Sequence, residues 1–102
     1  MTKVPLTRTI EKTMTLSQTE FAKSLSALAG GDSAITGRHA TLHLNDQGGS
    51  AEIVYMPLAP RRVGGLLNLP QAKVTITFSG VQPIEAEAFL RRFDIAFQRG
   101  GG

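Results

Sequence analysis

Two histidines four residues apart, His39 and His43, are the first residues in this 102-residue chain whose types could do chemistry. On a helix, an i, i+4 histidine pair can hold one metal ion. The stretch HATLHLN alternates instead, with Ala40, Leu42 and Leu44 set against His39, Thr41 and His43. That is the period of a strand. Four strand residues span roughly 13 Å, whereas metal–nitrogen bonds are about 2.0–2.1 Å long. The pair therefore reads as two histidines on a polar sheet face, and no metal site is expected.

The segment GGDSAITGRH invites comparison with a phosphate-binding loop, G-x-x-x-x-G-K-[ST]. It fails on spacing, because Gly31 and Gly37 enclose five residues. Arg38 stands where lysine is needed, His39 where serine or threonine is needed, and a strand follows in place of a helix. It reads as a helix end and a connecting loop. Carboxylates offer no general acid–base pair. Glu85 and Glu87 lie two apart on a helix and do not face each other. Glu11, Glu20, Glu52 and Asp94 have no partner visible in the sequence. No serine sits in a nucleophile elbow of the G-x-S-x-G type, and Ser17 is better used as a helix cap. No catalytic, cofactor-binding or metal-binding residue is therefore assigned, and a non-enzymatic protein is expected.

Composition narrows the classes further. The chain has no cysteine, so disulfides, thiolate metal sites and cysteine nucleophiles are excluded. The start, MTKVPLTRTIEK, lacks the apolar core of a secretory leader. No uncharged apolar run approaches the roughly 18 residues of a membrane span. A cytoplasmic protein without membrane contact is expected. Lysine and arginine number 11 against 8 aspartate and glutamate, a formal charge of +3. Such a balance permits a phosphate-bearing or acidic partner without requiring one.

The elements that would carry these residues follow from periodicity. From Val4 to Thr15, threonines and Glu11 alternate with Val4, Leu6, Ile10 and Met14, which predicts a strand. Arg8 and Lys12 interrupt its apolar side, which suggests a bulge or an end reaching past the core. Ser17 and Glu20 form a capping box, and Leu16 and Phe21 a hydrophobic staple. A helix should run from there, with Phe21, Ala22, Leu25, Leu28 and Ala29 as its stripe, to Gly30 and Gly31. HATLHLN and AEIVYM read as strands joined by the turn DQGGS. PLAP should break the second of these. VGGLLNL reads as a weaker strand, PQ as a turn, and AKVTITFS as a strand with Ala72, Val74, Ile76 and Phe78 on one face. A last helix should start at Pro83 and bury Ala86, Phe89, Leu90, Phe93, Ala96 and Phe97.

The predicted order, β-α-β-β-β-β-α, implies an α+β protein. The fold expected is an open-faced two-layer sandwich, with an antiparallel sheet of about five strands and two helices on one face. Element order alone is similar to a single repeat of the TATA-binding-protein fold. One domain is expected over residues 1–98, with residues 99–102 as a frayed glycine tail. A ubiquitin-like diglycine tail is not expected, because that fold needs a hairpin before its first helix.

Three functions fit this reading. The first is a small binding domain that self-associates as a homodimer through a sheet edge, the open face or the last helix. Tyr55, Leu58, Ile84 and Ile95 are then its interface residues, chosen for the exposed apolar segment YMPLAPRR and the arginine-rimmed side of the last helix. The second is a nucleic-acid-binding domain using Arg61, Arg62, Lys73, Arg91 and Arg92. The third is a small-ligand carrier or enzyme with a pocket between sheet and helices.

Overall fold

The computed structural model describes residues 6–29, 33–36, 38–46, 48–65 and 67–100. Val4, the Gly30–Gly31 helix end and the last two glycines lie outside the described residues. The elements run β1 (Leu6–Thr15), α1 (Gln18–Ala29), β2 (Ser33–Thr36), β3 (His39–His43), β4 (Ser50–Val63), β5 (Leu67–Val81) and α2 (Pro83–Gly100). Four strands, β1-β5-β4-β3, carry the sheet, and the short β2 extends it beyond β3. Every pairing is antiparallel, so the chain is α+β.

The start of α1 forms as its residue types require. The Ser17 amide donates to Glu20 Oε1 at 2.9 Å, and the Glu20 amide donates to Ser17 Oγ at 3.2 Å. Leu16 and Phe21, the staple pair, are both fully buried. At α2 the Gln82 amide donates to Glu85 Oε1 at 2.8 Å, so Glu85 caps the helix as well as complementing its dipole.

Both helices press onto one sheet face. Phe21 meets Tyr55 of β4 with ring centroids 5.0 Å apart, and Phe78 of β5 meets Phe89 of α2 edge-on at 5.7 Å. Phe93 and Phe97 stack at 4.1 Å. All five phenylalanines are buried, each contributing roughly 1.5–3 kcal/mol by leaving water. Lys12, half-buried on the same face, places Nζ 3.4 Å from Asp94 Oδ1 of α2. The suspected bulge in β1 is present as a register shift between Leu6 and Arg8.

Five expectations need correction. The loop after α1 contains β2, which pairs with β3 from Ser33↔Leu42 to Thr36↔His39. PLAP does not end its strand: β4 continues through it with a register shift between Leu58 and Arg61. VGGLLNL is not a separate strand. Gly64 and Gly65, with φ of 65° and 75°, form the turn between β4 and β5, a conformation that favours glycine. Nor is PQ a turn, since Pro70 and Gln71 lie within β5. Finally, α2 runs to Gly100, two residues past the expected end of the domain.

The prolines are accommodated because each sits where the strand has lost a neighbour. β3 ends at His39, opposite Val54, so Pro57 is on an edge and its missing donor breaks no ladder. β1 ends at Thr15, opposite Gln71, so Pro70 lies just past the end of that ladder. Its carbonyl instead accepts from the Leu16 amide at 2.9 Å.

Candidate functional site

The sheet face turned away from the helices is built by register. Residues directly opposite in antiparallel strands share a face. One row therefore holds Thr9, Thr77, Glu52 and Thr41, and the next holds Glu11, Thr75, Val54 and His39. Further along come Thr13, Lys73 and Met56, then Thr15, Gln71 and Leu58. Four pairs of its polar groups meet across strands. Lys73 Nζ is 3.7 Å from Glu11 Oε2, and His39 Nε2 is 3.1 Å from Glu52 Oε2. Gln71 Nε2 donates to Thr15 Oγ1 at 2.8 Å, and the Thr9 and Thr77 hydroxyls lie 3.3 Å apart. From this polar field to the edge where β4 outruns β3 goes an apolar stripe on β4: Val54, half-buried, then Met56 and Leu58, 50% and 40% exposed.

Beyond Leu58 and Gln71 the β4–β5 ribbon projects with no neighbouring strand among the described residues on either side, and the molecule has a long axis of 58 Å against 25 and 20 Å. This arm exposes Ala59, Pro60, Arg61, Arg62 and Asn68. Its root is fixed. Tyr55 is 5% exposed and its hydroxyl donates to the Leu16 carbonyl at 3.0 Å. The Tyr55 amide donates to the Arg38 carbonyl at 2.7 Å. Tyr55 is thus a core residue, which corrects its place among the interface residues.

The remaining candidates are dispersed. Arg61 and Arg62 lie on the arm and Lys73 on the outer sheet face. Arg91 and Arg92 lie on α2, in the opposite layer. The five cations do not form one patch. Arg92 stands over the Phe89 ring at 5.7 Å. Ile84 is 74% exposed at the start of α2. Ile95, 62% exposed, borders a groove of about 830 Å³ between α1 and α2, with Lys23, Ser24, Ala27, Leu28, Arg92 and Ala96. That groove is on the helices, not between them and the sheet, where the phenylalanines fill the space. His39 and His43 are both exposed, at the two ends of β3, and among the described residues no cluster of three or more His, Asp or Glu could hold a metal. No helix is long and apolar enough to cross a membrane, among the described residues.

Sequence reasoning missed the stripe, although its signal was present. Val54, Met56 and Leu58 continue the period-two alternation of Ala51, Ile53 and Tyr55 on the other side of the strand, and the prolines concealed it. It also missed Asn45, whose Nδ2 donates to the Gly80 carbonyl at 3.3 Å and to Glu85 Oε1 at 3.2 Å. Asn45 Oδ1 accepts from the Gly49 amide at 2.8 Å. One side chain thereby ties the β3–β4 turn to β5 and to the start of α2. Compared with protein-family models, curated proteins and solved structures, the chain finds a match in none of the three.

Proposed function

We propose that the chain is a non-enzymatic binding domain, cytoplasmic in keeping with its lack of cysteine, whose first partner is a second copy of itself. In this reading it is an open-faced two-layer sandwich, similar in element order to one TATA-binding-protein repeat, and the uncovered sheet face is the interface. The observation that carries the proposal is the exposed stripe of Met56 and Leu58 on that face, where β4 runs past the end of β3. Exposed apolar residues scattered singly need no explanation. These are aligned, adjacent and continued by Val54.

The chemistry around the stripe favours a second copy over a partner of opposite charge. Glu11 and Glu52 supply negative charge on this face and Lys73 positive charge. A face that carries both signs beside an apolar stripe is complementary to itself. Two-fold packing places the same patch on both sides of an interface, and sheets pack face to face about 10 Å apart.

Light scattering on the eluting protein tests this. The native chain should elute with the mass of two chains, and Met56→Lys with the mass of one and an unchanged circular dichroism spectrum. A native chain that stays monomeric at high concentration would overturn the proposal.

A further inference from the structure

The arm has a chemistry different from that of the face it grows from. From Ile53 through Ile84 the sequence contains no aspartate or glutamate, and its charges are Arg61, Arg62 and Lys73. Both arginines are exposed. No carboxylate on the arm itself is available to neutralise them, and an anionic partner is therefore the one this element attracts.

The kind of anion follows from what else the arm carries. From Met56 through Thr77 there is no phenylalanine, tyrosine or tryptophan. Single-stranded nucleic acid is held by stacking its bases on aromatic rings. Membrane interfaces are entered with tryptophan and tyrosine. The arm offers neither. Its shape, a projecting two-stranded antiparallel ribbon, is one that the major groove of B-form DNA admits. The deep, narrow major groove of A-form RNA does not. Its register adds a polar edge. Arg62 lies directly opposite Asn68, so the two side chains leave the ribbon on the same face. Arginine and asparagine are the side chains whose geometry matches guanine and adenine edges in that groove. Arg61, opposite Leu69, leaves on the other face, where it can meet phosphate.

We infer that the β4–β5 arm is a DNA-binding element that enters the major groove of a duplex, with Arg62 and Asn68 toward the base edges and Arg61 toward the backbone. This goes beyond the self-association reading and does not rest on it. Alone, an arm whose Arg61 neutralises about one phosphate gives an affinity that falls with salt with a log–log slope of about −1, and a dimer presenting two arms about −2.

Fluorescence anisotropy of the full chain with a labelled 20-base-pair duplex, titrated between 50 and 200 mM salt, tests the inference. The native chain should bind with that slope. Arg61→Ala should flatten the slope by about one per arm. Arg62→Ala and Asn68→Asp should each weaken binding roughly tenfold or more, while Arg91→Ala on the opposite layer should leave it unchanged. These side chains are exposed, and a circular dichroism spectrum confirms that each variant folds. Met56→Lys separates the two proposals, since the arm of a monomer should still bind with the smaller slope. Three results would overturn the inference. One is no duplex binding at 50 mM salt. Another is binding that survives Arg61→Ala and Arg62→Ala together. The third is arm-dependent binding to phosphatidylglycerol vesicles without binding to the duplex.

Discussion

The β4–β5 ribbon is two structures on one pair of strands. From Ala51 to Tyr55 and from Ala72 to Phe78 its inward residues are fully or almost fully buried beneath the helices, and its outward polar groups are paired across strands. From Ala59 to Arg62 every residue is exposed, the register slips once, and proline stands where a central strand would need a donor. Hydrogen bonding is antiparallel throughout. The difference lies in the neighbours: β3 and β1 flank the first half and stop before the second. A ribbon without neighbours is only marginally stable by itself, so the arm depends on its root. That root is the Tyr55–Leu16 bond, the Leu16–Pro70 bond and the Gln71–Thr15 bond. A core residue of the body should therefore matter for folding, and a residue of the arm for what the folded chain touches.

Substitutions sharpen this contrast, measured as urea unfolding of the monomeric chain at low concentration. Phe93→Ala should cost the most, about 3–5 kcal/mol, because it removes a fully buried ring stacked on Phe97. Gly49→Ala should come next, at about 1–3 kcal/mol. A Cβ there would meet the Asn45 side chain and lie 2.6 Å from the Gly80 carbonyl oxygen, forcing apart the turn and the strand that Asn45 joins. Leu58→Ala, where the arm leaves the sheet, should change stability least, by under about 0.5 kcal/mol. A loss at Leu58 as large as that at Phe93 would break the contrast and make the arm part of the core.

Much of the body was legible in residue types. The capping box of Ser17 and Glu20 formed with its staple, because both depend on contacts within a few residues. All five phenylalanines fell on the predicted core stripes, since an apolar period of 3.6 or 2 fixes which face can be buried. The turn DQGGS joined the strands it was expected to join. What misled was proline. In sequence, PLAP and PQ look like breaks, since proline removes a ladder donor. Whether that donor is needed depends on whether another strand lies alongside, and β1 and β3 end their pairing many residues away in the chain.

The sequence by itself determined the two helices, the buried faces of β3 and of β5 from Ala72 to Phe78, and the absence of any cysteine chemistry. These follow from side-chain type and short-range spacing. Only the tertiary structure decided that five strand-like stretches divide at Gly64 and Gly65 and not at the prolines. It also decided that Tyr55 points inward, that Arg91 and Arg92 lie on a helix and Lys73 on a strand, and that Met56 and Leu58 are exposed on one side of β4. Each of these depends on where one strand stops beside another, and that is set by the packing of the whole sheet.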